Sequence, residues 1–390
     1  MIATVISEAP IQVQIESWPL IQIFLALLCA ALIAFAATPI VRVFAYKIGA
    51  VDVPKDDRRM HKKPMPLLGG LAIFSGVTVA AAIFCEYKPE LIAAWVGGLI
   101  ITLLGIFDDK HSLSPWVKLL GQTAAALVAI FFGGVSISHI NLFGHYIQFG
   151  WFSIPITVIW IVGMTNAINL IDGLDGLACG VSAISSASLF LVTLLHADLS
   201  VAMMTAVITG ACLGFLPYNM NPAKIFMGDT GALFLGYMLS VLSIIGFFKT
   251  TAVVSFLIPI IIFGYPLFDT AFAFIRRVVA GRSPFSADRG HLHHRMVDLG
   301  LSVKQSVSVL YCICSLLGIL AIMLCERRGA ASLIILVVAV VIAFFNFVLL
   351  KNKQTRELSG ITEENHPSEE EASTPAEGKE AQDDTNKSDT

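Results

Sequence analysis

"IPITVIWIVGMTNAINLIDGLDGLACG", residues 154–180, decides how this chain is read. Its first part, "IPITVIWIVGMT", is apolar enough for hydrocarbon. Asn166, Asn169, Asp172 and Asp175 then recur at every third position, with Gly173 and Gly176 among them. On a regular helix a step of three residues turns the chain by about 300°, so these groups would spread around half the circumference instead of sharing a stripe. A helix that breaks near Asp172 removes the conflict: the glycines turn the chain, Asp175 comes back over the helix end, and a second helix starts beyond it. Carboxylates gathered at a broken helix end are tolerable at the water interface, whereas near mid-bilayer each would cost about 3 kcal/mol or more. The stretch reads as one membrane span ending and another beginning.

The rest of the chain has the same character. Of 390 residues, 56% are hydrophobic and 14% charged, with a mean hydropathy of +0.80, beyond what a soluble core requires. The expected fold class is all-α: a polytopic helical membrane protein embedded in the lipid bilayer. About eleven apolar stretches match the roughly 17 to 25 residues that cross a bilayer as a helix: 19–44, 68–85, 91–107, 116–134, 153–171, 177–196, 201–219, 230–248, 252–274, 305–325 and 330–350. Three parts follow, an external segment 1–18, a transmembrane domain 19–350 and a tail 351–390.

Lys and Arg set the orientation, because short cytoplasmic loops carry their excess. One set of loops holds Lys55, Arg58, Arg59, Lys62, Lys63, Lys110, Lys224, Arg276, Arg277, Arg282, Arg289 and Arg295; the other holds Lys88, Lys249, Arg327 and Arg328. The N-terminus is therefore expected outside and the C-terminus in the cytoplasm. Residues 1–18 carry no Lys or Arg and so do not read as a cleaved signal peptide. The tail holds eleven Asp and Glu against five Lys and Arg, with few apolar residues, and is expected to be disordered. Seven Cys sit singly without a C-x-x-C pair and read as small buried hydrophobes.

With this topology the unusual polar groups fall on one side. "GIFDDKHSLSPWVK" (105–118) ends a span with Asp108, Asp109 and Lys110; "YNMNPAKIFMGDTGALFLGY" (218–237) carries Asn219, Asn221, Lys224 and Asp229. The last inner loop supplies Arg282, Asp288, Arg289, His291, His293 and His294. Each has a plain alternative: interfacial anchoring for the acids, an N-cap role for Asp229, topology alone for the basic loop. Against the first, Asp108, Asp109 and Asp172 would all meet the negative pole of a helix C-terminus, a repulsion of about 0.3 to 1 kcal/mol each, which calls for a nearby cation. Oxygen-only ligands favour a hard ion, Mg²⁺ or Mn²⁺, and Mg²⁺ commonly shares its shell with phosphate. Arg and His donors suit phosphate too. A zinc site at His291, His293, His294 and Asp288 is the rival reading, weakened because adjacent histidines seldom reach one ion. Lys118 and Gln122 lie four apart in an otherwise apolar span and share a face, with Lys118 expected to meet a phosphate.

Five segments resemble, in order, the motifs of the polyprenyl-phosphate N-acetylhexosamine-1-phosphate transferases: "HKKPMPLLGG" at 61–70, "FDDK" at 107–110, "NAINLIDGLDGL" at 166–177, "FMGDTG" at 226–231 and "SPFSADRGHLHHR" at 283–295. His-x-His-His in the last is similar to the bacterial undecaprenyl-phosphate α-N-acetylglucosaminyl 1-phosphate transferases, whereas the muramoyl-pentapeptide branch typically has three consecutive histidines. Ala287 stands where that similar branch often has Pro, and Lys110 where Arg is common.

The resemblance implies that the phosphate of undecaprenyl phosphate attacks the sugar-proximal phosphorus of UDP-N-acetylglucosamine, expelling UMP. The lipid-linked product would start a cell-surface polysaccharide, in the manner of lipopolysaccharide O-antigen, from the cytoplasmic face of a bacterial inner membrane. It also implies roles. Asp229 would be the main Mg²⁺ ligand, with Asp108 or Asp109 sharing the metal or accepting a proton. Asn166, Asn169, Asp172 and Asp175 would bind the nucleotide. Lys118, Gln122, Arg282, Arg289, His291, His293 and His294 would hold donor phosphates and the acetamido sugar, with Lys62 and His61 as further candidates. A homodimer is the candidate assembly and no nucleic-acid partner is expected. Two alternatives stay open: another UDP-N-acetylhexosamine or muramoyl-peptide donor, and an ion-coupled secondary transporter. Transporter carboxylates tend to lie near the midplane among internal repeats, and no repeat is visible here.

Overall fold

The computed structural model describes residues 17–53, 64–142, 145–195, 198–247, 257–281 and 290–325, all within one compact unit, Met1–Val341. The chain begins with α1 (Ser17–Ile48), which runs through Pro39. A two-stranded pair, β1 (Val51–Asp52) and β2 (Met65–Pro66), leads to α2 (Gly69–Phe84) and α3 (Pro89–His111). Then come α4 (Pro115–Gly133), an antiparallel pair β3 (His139–Leu142) and β4 (His145–Gln148), a 3₁₀ turn, and α5 (Ser153–Leu170). The remainder is α6 (Leu177–Leu195), α7 (Leu199–Asn219), α8 (Gly228–Phe247), α9 (Leu257–Ile262), α10 (Gly264–Val279), α11 (Leu292–Asp298) and α12 (Val303–Cys325). The strands are too short to form a layer, so the architecture is a multi-pass helical bundle.

Local chemistry sets many of the helix ends. α3 starts on Pro89 with Glu90 in its first turn and ends on Lys110 and His111, which complements the helix dipole. Ser114 caps α4 through Val117 N–H, with Pro115 behind it, and Asp198 caps α7 through Val201 N–H. α5 stops at Leu170. The turn that follows, with Gly176 at φ +80°, delivers the chain into α6, the break expected from the opening stretch.

Among the described residues eight helices are long and apolar enough to span a membrane. Two of the expected spans differ from that. α2 has 16 residues, short of a full crossing by itself. The described part of the expected span 252–274, from residue 257 on, lies in two helices, α9 and α10, parted at Phe263. Pro266 has no N–H to give the carbonyl of Ile262, so the ladder fails there and restarts with Leu267 N–H to Phe263 O at 3.0 Å. The expected span 330–350, the segment before Ser17 and the acidic tail lie outside the described residues.

α8 is the axis of the bundle: every residue in it is buried except Asp229. It is wrapped by α2, α3, α5, α6 and α7, and glycines allow the close crossings. A Cβ at Gly70 would collide with the backbone of Gly231, one at Gly105 with that of Thr230, and one at Gly236 would lie 2.7 Å from Thr165 Cα. Tyr237 O–H donates to Ala125 O at 3.2 Å and Trp160 Nε1–H to Ser243 Oγ at 3.1 Å, tying α8 to α4 and α5.

Candidate active site

The C-terminal end of α3, the N-terminal end of α4, the C-terminal end of α5 and the N-terminal end of α8 meet at one end of the bundle. The glycine crossings bring the helix ends together. The α2 start joins them too: Gly69 N–H and Gly70 N–H donate to Phe226 O and Met227 O at 3.0 and 2.8 Å, and Phe226 N–H donates to Pro66 O at 2.9 Å. Backbone hydrogen bonds thus fix the residues immediately before Asp229.

At the centre is Lys118. Its Nζ donates to Asp108 Oδ2 at 2.7 Å and to Asp229 Oδ2 at 2.6 Å. Asp108 Oδ1 accepts from Leu113 N–H at 2.6 Å, and Asp229 Oδ1 accepts from Asn169 Nδ2 at 2.8 Å. Two carboxylates from separate helices therefore converge on one cationic point. Their negative charge, unfavourable by itself, is met by an ammonium with 23% side-chain exposure.

Asp109, expected to share the metal or accept a proton, has its carboxylate turned to the start of α8. Its Oδ1 accepts from Asp229 N–H at 2.8 Å, and its Oδ2 from Thr230 N–H at 3.1 Å and Thr230 Oγ1 at 2.6 Å. It caps α8 across the helix interface, so the capping role weighed for Asp229 belongs to Asp109. Gln122 and Asn166 likewise turn inward: Asn166 Nδ2 donates to Gln122 Oε1 at 2.6 Å and Gln122 Nε2 to Asn166 Oδ1 at 3.3 Å. This reciprocal amide pair joins α4 to α5. Asp175 faces the loop after α7, its Oδ2 accepting from Asn221 Nδ2 at 2.9 Å and Ala223 N–H at 3.0 Å.

Asp172 lies in the turn after α5, half-buried. Burial pushes its carboxyl up to about 8, helped by the negative charges of Asp229, Asp109 and Asp175. Next to it, Gly173 packs so closely on His293 Nε2 that a Cβ would not fit, which brings the histidine segment onto the α5 turn. His293 is buried and neither ring nitrogen has a hydrogen-bond partner. Burial holds its pKa down at about 3, reinforced by His294 and His291 and opposed by Asp269. Its ring stacks near His291 (centroids 5.7 Å, 16° between planes) and His294 (4.3 Å, 46°). Lys62, His61, Arg282, Arg289 and Asp288 lie outside the described residues.

Sequence reasoning missed Asp269 on α10, whose Oδ2 sits 2.8 Å from His291 Nδ1 and whose Oδ1 accepts from Leu292 N–H at 2.8 Å. The available signal was its isolation, since it is the single charged residue between positions 252 and 274. Among the described residues no three His, Cys, Asp or Glu side chains are gathered so as to hold an ion by themselves.

Helix ends that gather paired carboxylates, a bridging lysine and buried imidazoles define a polytopic membrane protein with a polar site at one end of its bundle. Known proteins share this sequence pattern. The profile of glycosyl transferase family 4 matches residues 91–247, the segment that supplies Asp108, Lys118, Asn169, Asp172 and Asp229. The chain is 44% identical over 327 residues to the probable undecaprenyl-phosphate N-acetylglucosaminyl 1-phosphate transferase of Bacillus subtilis, covering 83% of this chain and 90% of that one. It is 36% identical to the decaprenyl-phosphate N-acetylglucosaminephosphotransferase of Mycolicibacterium smegmatis, over 75% of this chain and 80% of the relative. It is 28% identical to the undecaprenyl-phosphate alpha-N-acetylglucosaminyl 1-phosphate transferase of Escherichia coli K12, over 78% and 84%. The chain belongs to glycosyl transferase family 4, among the polyprenyl-phosphate N-acetylhexosamine-1-phosphate transferases.

Proposed function

We propose that the protein transfers N-acetylglucosamine 1-phosphate from UDP-N-acetylglucosamine to undecaprenyl phosphate and releases UMP, acting at the cytoplasmic face of a bacterial inner membrane with Mg²⁺ or Mn²⁺. The observation that carries this reading is the convergence of Asp108 and Asp229 on one cation at the end of the bundle, beside the α5 turn and the histidine segment. The excess of Lys and Arg in the loops at this end supports a cytoplasmic orientation.

In the reaction an acceptor phosphate oxygen forms a bond to the sugar-proximal phosphorus of the donor, and the bond from that phosphorus to the UMP oxygen breaks. The glycosidic C1–O bond stays intact, so the anomeric configuration carries through. Such a transfer depends mainly on positioning and charge neutralisation.

The residues present fit a divalent ion: two hard carboxylate oxygens already point at one cation, and Mg²⁺ commonly uses one or two carboxylates with the rest of its shell from water and phosphate. Asp108 and Asp229 would hold it, and when bound it would neutralise charge building on the diphosphate. Asn169 orients Asp229, and Asp109 fixes the α8 start from which Asp229 projects. The Gln122–Asn166 pair keeps α4 in register, so that Lys118 stays at the cleft as a donor to phosphate oxygens. Asp172 stands in the α5 turn beside this cluster, where burial and the neighbouring carboxylates raise its pKa in the absence of a cation.

The test is a panel assay with purified protein, undecaprenyl phosphate and labelled UDP-N-acetylglucosamine, UDP-N-acetylgalactosamine and UDP-muramoyl-pentapeptide, with divalent ions added or chelated. The expected result is UMP release and a lipid-linked diphospho-sugar with the first donor, lost on chelation. Product from another donor alone, or from none, would overturn the assignment.

A further inference from the structure

We infer that Asp269 is a positioning residue that fixes the tautomer of His291, and through it the face that the histidine segment turns to the donor. The inference rests on the reading above in taking that segment as donor-binding. An ionised carboxylate can only accept, so the 2.8 Å contact between Asp269 Oδ2 and His291 Nδ1 requires the proton to sit on Nδ1. Asp269 Oδ1 simultaneously accepts Leu292 N–H at 2.8 Å, which holds the carboxylate plane against the first residues of the segment. Both side chains are nearly buried, at 7% and 5% exposure, so water does not compete effectively for the pair.

The consequence is chemical. With Nδ1–H engaged, a neutral His291 offers its Nε2 lone pair, an acceptor able to read an amide N–H or a hydroxyl of a sugar, the kind of group an acetamido hexose carries. In a carboxylate–imidazole pair of this type the second partner decides which nitrogen faces the ligand. The same hold reaches further. His291 lies parallel to His293, and His293 packs on Gly173 in the turn that carries Asp172. Asp269 therefore aligns the segment with the site from a helix that contributes no residue to the Asp108–Lys118–Asp229 cluster.

Replacing Asp269 by Asn tests this with minimal change of shape. Asn can still accept Leu292 N–H through Oδ1, but its Nδ2 is a donor, so His291 Nδ1 must become the acceptor and the proton moves to Nε2. In full-length protein in lipid, ¹⁵N-histidine NMR would follow the change, the His291 signal being identified by its loss in His291→Gln. We expect D269N to melt within a few degrees of the parent, to show the switched tautomer, and to raise the donor KM about tenfold, the worth of one hydrogen bond, with kcat changed less. D269E, which restores an acceptor-only carboxylate, should recover the original tautomer and part of the affinity. An unchanged tautomer in D269N, or a switched tautomer with unchanged donor KM, would overturn the inference. Failure of the parent protein to use UDP-N-acetylglucosamine would instead strike the proposed function, and the NMR result would still report on the Asp269–His291 pair.

Discussion

At the residue scale, neighbouring carboxylates that look alike in sequence separate by what they touch. Asp108 and Asp109 are adjacent, yet one meets Lys118 and the other caps α8. Asp109→Ala should therefore lower stability by about 1 to 2 kcal/mol, the loss of a cap, seen as a fall in melting temperature in detergent. Asp229→Asn keeps the shape and should leave melting nearly unchanged while turnover falls by orders of magnitude; near-normal turnover would refute its role at the metal. Two groups give opposite pH responses. The raised pKa of Asp172 means that the folded state holds its proton more tightly than the unfolded chain. Its contribution is fully present below about pH 4 and is lost as pH rises towards 8. His293 is lowered to about 3, so the unfolded chain binds the extra proton, and stability is lost as pH falls from about 6.5 towards 3. In metal-free buffer Asp172→Asn should melt higher than the parent at pH 8 and match it near pH 4. His293→Gln should remove part of the acid sensitivity between pH 6.5 and 4. Coincident pH profiles for parent and variants would contradict both assignments. None of these distinctions was visible in the motifs, because sequence spacing shows which residues are near a helix end but not which partner each oxygen finds.

At the scale of elements, the site depends on how α4 and α8 are held. The Gln122–Asn166 pair predicts non-additivity. Changing Asn166 to Leu strands the buried Gln122 amide and should cost about 1 to 3 kcal/mol; changing Gln122 to Leu leaves the half-buried Asn166 its bond to Val162 O and should cost less, and the double change should recover part of the sum. Additive losses in a chemical-denaturation cycle would mean that the pair contributes no coupling. α8 makes a sharper demand. Gly236→Ala puts a methyl against the α5 backbone and should destabilise by about 1 to 3 kcal/mol through overpacking. Gly163→Ala, on α5 with open space around it, should be neutral or stabilising by up to about 1 kcal/mol. Melting temperatures of the two variants would compare them directly. The break between α9 and α10 belongs to this scale as well. Hydropathy ran through it as one span because Phe, Ile and Leu continue on both sides, and the missing amide of Pro266 leaves no trace in a hydropathy average.

For the whole molecule, orientation is the open property that one experiment settles. With the native Cys removed, a Cys at Lys224, on the site's side, should resist an impermeant thiol reagent in intact cells, and a Cys at Lys88, in the loop between α2 and α3, should react. The reverse pattern would invert the proposed topology. Taken as a linear pattern, the chain already shows a multi-pass helical bundle, a break in the α5 span near Asp172, and Asp, Asn, Lys and His motifs that belong together. Those properties follow from local quantities, since hydrophobic length, glycine placement and charge bias act over one helix or one loop. Contacts between distant helices are what make Lys118 bridge Asp108 and Asp229, tie Asp109 and the Gln122–Asn166 pair to helix packing, and let Asp269 hold His291. Each of these depends on which helices cross and how closely. That is set by glycine contacts and side-chain packing between segments far apart in the chain, and no local pattern encodes it.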